Sequence, residues 1–319
     1  MIFGPPGSSS PETEIYRLLR FEGNLPGAFS LALLQTISAL AVLGLFSVAS
    51  ARSSSSGMET GARRELRRLE AWAWCIMLAY AFFLLLCFIA PLFSILASSF
   101  TARRGIGSAV LPSLGPWLRQ LSEGRLLAAV AATLITALPA AAIATLVGLC
   151  LGRLLRRRRH LVAVSATLPL AISAVIAASG WRLIFPDGGI AVVILIQTLT
   201  ALPFSIGSSA SSFDRLSGEP ALAARSLGAG RLRSFFDIEI PSILPVTLSS
   251  AAFSFALSAG DATTPLVLGL PDFEPLPLAV YRLVGAYRYP EACVFGVVLA
   301  LFAGSAFFFK EGRSRHARA

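Results

Sequence analysis

Charge is scarce in this sequence. Asp, Glu, Lys and Arg make up 14% of the 319 residues, against 55% hydrophobic ones, whereas soluble domains carry about 25% charged residues. A mean hydropathy of +0.73 does not suit a surface that faces water on all sides. Histidine is almost missing: His160 and His316 both lie in basic flanks, so neither a Ser–His pair nor a metal cluster is available to an intramembrane enzyme. Cys75, Cys87, Cys150 and Cys293 sit singly inside apolar runs; without metal-ligand spacing or an aqueous loop for disulfides, they read as small packing residues. The phosphate-cradling pattern Gly-x-x-x-x-Gly-Lys-Ser/Thr does not occur, which argues against ATP hydrolysis of the P-loop kind in this chain. The first 24 residues, rich in Gly, Pro, Ser and Glu, lack the basic-then-apolar order of a secretory leader.

What is abundant is uninterrupted apolar sequence. Ala71 to Phe100 and Leu126 to Gly152 contain no charge, and each exceeds the ~20 residues that span a hydrocarbon core of about 30 Å. They show no polar face at helical period, which a surface helix of a soluble protein would have. The expected fold class is therefore all-α and polytopic, with about seven transmembrane helices near 26–50, 71–98, 126–152, 161–185, 188–206, 241–269 and 290–309. The span at 188–206 is the shortest, and 161–185 is marginal because Arg182 lies near its end.

The basic residues are distributed unevenly between the two sides. Arg52, the arginines of 63–68, Arg153, Arg156–Arg159, Arg215, Arg225, Arg231, Arg233, Lys310 and the arginines of 313–318 all fall on one side, and the +10 surplus falls there with them. The positive-inside rule assigns that side to the cytoplasm, with the N-terminus outside and the C-terminus inside. The Arg156–Arg159 run then reads as a cytoplasmic stop behind a span, not as a nucleic-acid patch.

The longest cytoplasmic loop, about 207–240, contains Ala221-Leu222-Ala223-Ala224-Arg225-Ser226-Leu227-Gly228, and nine residues later Ile238-Glu239-Ile240-Pro241. Ala and Leu favour a short helix, Gly228 ends it by tolerating a left-handed cap, and Pro241 suits the first turn of the next span. This pattern resembles the EAA loop of binding-protein-dependent ABC importer permeases: Glu-Ala-Ala, three residues, Gly, nine residues, then Ile-x-Leu-Pro. Leu222 stands where the family has Glu, and Ile240 where it has Leu. The resemblance extends over 71–310, through Leu202-Pro203-Phe204 and the stretch from Phe253 to Asp261. It implies a MetI-like permease fold in the cell inner membrane. It also implies that Leu222, Ala223, Ala224, Gly228, Ile238, Ile240 and Pro241 dock on a dimeric ABC ATPase, which carries ATP and Mg; no cofactor is expected on this chain itself. An extracytoplasmic solute-binding protein and a second permease half are the other implied partners, beside the bilayer; no nucleic acid is expected.

The two ends of the chain look alike. Glu14-Ile15-Tyr16-Arg17-Leu18-Leu19 leads through Pro26 into an apolar span, as Ala279-Val280-Tyr281-Arg282-Leu283-Val284 does through Pro290. The expected division is a tail of a first permease half at 1–50, a cytoplasmic linker at 51–70, a complete second half at 71–310 with its EAA-like loop at 207–241, and a basic tail at 311–319. Fused permeases of this kind are typical of the thiamine and ferric-iron branch and are much longer, so the chain is expected to lack most of a first half, unless another protein supplies it. The segments Gly269–Phe273, Leu276–Tyr281, Gly285–Arg288 and Arg20–Pro26 resemble the thiamine permease more than the ferric-iron one; a polyamine is a further candidate solute.

Asp261 is an ionisable residue within a span, a costly placement that points to a cavity or a partner. Its two readings are a place on the translocation path, together with Thr263 and Thr264, and a structural role, in which it pairs with Arg182 or reaches the outer interface. Thr263, Thr264 and Pro265 are expected to break the span. Arg17, Arg282 and Arg288 lie outside, available to a binding protein or simply solvated. A secondary transporter with a broken midplane helix is the rival of another class, and would not need the EAA-like loop; a passive membrane scaffold is a third.

Overall fold

The computed structural model describes residues 10–54, 71–103, 110–155, 172–185, 188–215 and 240–316, with single positions 169, 226, 228, 230 and 233. In chain order the helices are α1 (Pro11–Arg17), followed by a π-helical turn at Leu18–Glu22, α2 (Leu25–Ser54), α3 (Ala71–Ser99), α4 (Gly115–Ser122), α5 (Arg125–Leu155), α6 (Ala174–Ile184), α7 (Gly189–Arg215), α8 (Ile240–Ala259), α9 (Thr263–Leu268), α10 (Leu276–Gly285) and α11 (Tyr289–His316). The fold is all-α; the one departure among the described residues is a small antiparallel ribbon after α3, where β1 (Thr101–Arg103) pairs with β2 (Val110–Pro112).

Among the described residues four helical stretches are long and apolar enough to cross a membrane: Trp74–Ser99, Arg125–Leu155, Gly189–Asp214 and Ile240–Leu268. Helix also runs through the expected spans 26–50 and 290–309, in α2 and α11. Of the expected span 161–185, a helix of 11 residues, α6, is seen; most of its earlier part lies outside the described residues. The span expected at 188–206 is longer than its apolar run. Helix α7 continues to Arg215, because Ser208, Ser211 and Ser212 donate their hydroxyls back to the carbonyls of Ser205 or Ser208. A serine whose hydroxyl bonds back onto its own helix has its polar group satisfied there, and helix occupies 207–215, where the loop was expected to begin.

Helix α5 turns most of its large residues outward. Apart from Leu126 its buried positions are small, among them Ala129, Thr133, Ala137, Ala140, Ala141, Ala144, Gly148 and Gly152, whereas Leu127, Ile135, Leu138, Leu146 and Leu154 are exposed. In water this arrangement would be unfavourable. In lipid, where burying a large apolar side chain gains nothing over leaving it against acyl chains, close backbone approach and interhelical hydrogen bonds take over. Helix α5 packs along α7, and α8 lies against both. A Cβ on Gly148 would come 2.4 Å from the Ser205 Cβ, and one on Gly152 would come 2.7 Å from the Ser209 Cβ, so the α5–α7 seam requires glycine at both positions. From α7 the contact passes to α8 through hydroxyls: Ser205 and Ser254 are 3.0 Å apart, and Ser250 lies 3.1 Å from both Ser205 and Ser208.

The cysteines do not all pack. Cys75, Cys87 and Cys150 are exposed on the outer face and Cys293 is partly buried, all four as free thiols. In a helix whose outer face meets lipid, a thiol is compatible with either side.

Candidate functional site

Two regions carry the residues that the sequence points to. Between α7 and α8, Leu222, Ala223, Ala224 and Ile238 lie outside the described residues. Gly228 is exposed, with φ of +89°, in the left-handed region. That backbone conformation is strained for any other residue type. Ile240 and Pro241 open α8, so the proline occupies the first turn, where its missing N–H costs nothing.

The second region is the break between α8 and α9. Helix α8 ends at Ala259, and Gly260 to Ala262 form the interruption. Thr263 to Pro265 do not break the span as expected; they begin the next helix. The reason is Asp261. Its Oδ1 accepts from the backbone N–H of Thr263 at 3.0 Å and of Thr264 at 3.1 Å, satisfying donors that a helix start leaves unpaired and placing negative charge at the positive end of the dipole.

Arg182 of α6 does not pair with Asp261. Its Nη1 donates to the carbonyls of Val267 at 3.2 Å and Leu268 at 2.8 Å, at the C-terminal end of α9. The six-residue helix thus has a carboxylate at its N-terminus and a guanidinium at its C-terminus, and each charge is matched by backbone dipoles. Thr264 is fully buried and Thr263 partly so. The Asp261 Oδ2 and Thr264 Oγ1 atoms are buried and have no hydrogen-bond partner among the described residues.

Thr263 lines a cleft of about 150 Å³, with Glu12, Thr13 and Tyr16 of α1, Val175 of α6, Leu266 and Val267 of α9, and Tyr281 of α10. The cleft sits over an apolar core in which Ile15, Leu18, Ala28 and Ala32 of the N-terminal segment pack with Val175, Ala178, Val192, Val193 and Ile196. Glu12 is held by Ser173, whose hydroxyl donates to Oε1 at 3.2 Å, and by Gln35 Nε2 at 3.5 Å. Among the described residues neither Lys nor Arg lines the cleft. The sequence marked Tyr16 and Tyr281 as repeat partners and gave no sign that they border one space; Glu12 drew no attention at all.

Arg17, Arg282 and Arg288 are engaged within the chain. Arg17 pairs with Glu14 and Glu22, and the hydrogen bond to Glu14, then the charges of Glu14 and Glu22, raise its pKa further. Arg282 lies 3.4 Å from Glu274, and Arg288 lies 3.3 Å from Glu291. Among the described residues no group of three or more His, Cys, Asp or Glu is placed to hold a metal.

Comparison with known proteins agrees with this architecture. Residues 74–309 match the family described as the binding-protein-dependent transport system inner membrane component. The thiamine transport system permease protein ThiP of Haemophilus influenzae is 27% identical over 96% of this chain, which spans 57% of that relative's length. A probable sulfate transport system permease, cysT of Nephroselmis olivacea, is 25% identical over 77% of this chain and 91% of its own. A crystal structure of a bacterial alginate ABC transporter, in complex with an alginate pentasaccharide-bound periplasmic protein, shares the fold. One of its chains superposes with a TM-score of 0.61 at 17% identity, over 77% of this chain and 95% of that one. An all-α bundle with membrane-length helices, and a family match from α3 into α11, place this chain among the membrane-embedded inner membrane components of binding-protein-dependent transport systems, the family to which it belongs.

Proposed function

We propose that this chain is the permease subunit of an ATP-driven importer that moves thiamine inward from an extracytoplasmic binding protein. The observation that carries the substrate is the similarity to a thiamine permease along 96% of the chain. In this reading residues 1–50 close a first permease half, 51–70 form a cytoplasmic linker and 71–310 form the second half. The repeated arrangement supports the division: a short helix carrying Tyr-Arg-Leu precedes a long one both in α1–α2 and in α10–α11. The N-terminus lies outside and the C-terminus in the cytoplasm, in accord with the basic end of α11.

Coupling runs through the loop between α7 and α8. Leu222, Ala223, Ala224, Gly228, Ile238, Ile240 and Pro241 form the element that docks on a separate ATPase, which binds ATP and Mg and closes on nucleotide. The turn at Gly228 sets the angle between its two halves, and α8 carries the motion to the break at Asp261. Asp261 and Thr263 stand at that break, beside the path, and Thr264 anchors it from within. The solute passes as a cation, so a carboxylate-bearing route free of lining Lys and Arg favours it electrostatically.

The test is uptake of labelled thiamine into proteoliposomes that contain this chain, the ATPase and the binding protein encoded with it, with the upstream coding region present or absent. ATP-dependent uptake competed by thiamine analogues is expected, and Gly228→Trp is expected to abolish it while membrane insertion stays normal. Uptake without any ATPase would point to a secondary transporter. ATP-driven uptake of ferric ion or sulfate in place of thiamine would move the substrate and leave the mechanism standing.

A further inference from the structure

We propose that the cleft between α1, α6, α9 and α10 is a binding subsite for a ring-sized organic cation, with the Glu12 carboxylate as counter-ion and Tyr16 and Tyr281 as its aromatic walls. The proposal rests on the reading of the chain as a permease for a cationic solute and names the place where that solute is received. Four observations converge on it.

The first is size. A single water needs about 10–15 Å³ of cavity space, and the cleft offers about 150 Å³. It takes a group of several heavy atoms, such as one heteroaromatic ring, and not an entire two-ring solute.

The second is charge. Among the described residues Glu12 is the one carboxylate on the wall, and neither Lys nor Arg accompanies it. Its oxygen accepts from neutral Ser173 and Gln35, and no cation pairs with it among the described residues. The carboxylates around it are committed elsewhere: Glu14 and Glu22 bind Arg17. A carboxylate held in place by two neutral donors and lacking a counter-ion attracts a cation and repels an oxyanion.

The third is the character of the walls. Val175, Val267 and two tyrosines leave a lining that is mostly apolar. A metal ion stripped of its water needs several oxygen ligands, usually carboxylates and carbonyls, and beside the one carboxylate the described wall offers neutral hydroxyls of Thr13, Thr263 and the two tyrosines. An organic cation needs apolar contact and aromatic rings, which attract positive charge.

The fourth is position. Tyr16 and Tyr281 occupy equivalent places in the repeated segments at the two ends of the chain, and both border this one cleft. Repeat-equivalent residues meet only near the axis that relates the repeats, so the cleft lies near that axis. The α10 end of α11 is opposite the basic end at 310–316, which puts the cleft on the extracytoplasmic side.

The experiment uses the full chain in lipid nanodiscs and equilibrium binding of labelled thiamine, with N-methylpyridinium and sulfate as competitors. The two cations are expected to compete for one site and sulfate to leave it untouched. Glu12→Gln is expected to weaken both cations about tenfold or more, and Tyr281→Leu about fivefold, with Tyr281→Phe close to wild type. Glu12 is exposed, so its replacement leaves packing intact; unchanged elution and melting of each variant check this, and Glu12→Lys should lose binding further. Wild-type binding in both Glu12→Gln and Tyr281→Leu, or no cation binding by the wild type, overturns the proposal. Uptake measured in parallel separates the two claims. Sulfate uptake by a chain that still binds N-methylpyridinium through Glu12 sinks the thiamine reading and keeps the cleft. Thiamine uptake and binding unaltered by either variant keep the substrate and sink the cleft.

Discussion

Replacing Gly148 by alanine tests the packing argument at its tightest point. The new Cβ would stand 2.4 Å from the Ser205 Cβ, 2.8 Å from the Ser205 carbonyl carbon and 3.1 Å from the Ile206 nitrogen, where carbon pairs prefer about 3.5–4.0 Å. Two of these three atoms are backbone, so no rotamer change relieves the overlap, and α7 must move away from α5 by roughly 1 Å or more. Overpacking of this kind costs about 1–3 kcal/mol, less the gain in helix propensity of about 0.8–1 kcal/mol that alanine brings over glycine. Gly207 on α7 is the internal control. Nothing lies within 4 Å of its Cβ position, so Gly207→Ala should be neutral or stabilising. The assay is thermal or denaturant unfolding of each variant in nanodiscs, followed by tryptophan fluorescence and helicity. Gly148→Ala is expected to be destabilised relative to Gly207→Ala by about 1–3 kcal/mol, with Gly152→Ala alongside it. Equal stability of Gly148→Ala and Gly207→Ala would refute the claim that glycine at the α5–α7 seam is required for close approach.

Asp261→Ala removes the acceptor for two backbone N–H groups at the start of α9 and should cost about 1 kcal/mol; Asp261→Asn, which keeps an acceptor, should recover most of the loss in the same unfolding assay. Arg182→Ala leaves the carbonyls of Val267 and Leu268 without their charged donor and should cost about 1.5–3 kcal/mol, with faster hydrogen exchange confined to 263–270 as the readout. Ser254→Ala deletes one interhelical hydroxyl bond at the α7–α8 contact. Since such bonds average about 0.6 kcal/mol within membranes, its melting temperature should fall only slightly, and a large fall would mean that the serine network does more than join two helices.

The sequence alone marked the helices because the length of an apolar run is a local property. Ala71–Phe100 and Leu126–Gly152 exceed a bilayer's thickness whatever their neighbours are, and α3 and α5 occupy those stretches. The bias of arginines to one side was legible for the same reason, and so was the spacing that leads from Ala223 through Gly228 to Pro241. The end of α7 was not legible. Ser208, Ser211 and Ser212 read as a loop by composition, yet each hydroxyl folds back on its own helix. Gly148 and Gly152 form a four-residue small-residue spacing that was visible in the sequence and could have been singled out, but their partners Ser205 and Ser209 could not have been paired with them.

Which face of each helix looks inward is a tertiary matter. Membrane helices gain little by burying large apolar residues, so hydrophobic periodicity carries no signal, and the decision falls to small and hydroxylated residues that become meaningful only when a neighbour approaches. The fate of charge was decided in the same way. Asp261 and Arg182 were both visible as costly charges, and direct pairing was one expectation. The structure instead sets them at opposite ends of α9, each answered by the backbone dipoles of a helix that the sequence had read as an interruption. Glu12 and Tyr16 are far from Tyr281 in sequence, and only the packing of α1 against α6, together with the positions of α9 and α10, brings them to one cleft. Local composition thus determined that this protein lies in a membrane and where its helices run. Tertiary structure decided which residues face each other, because contacts across helices depend on distances that no stretch of sequence contains.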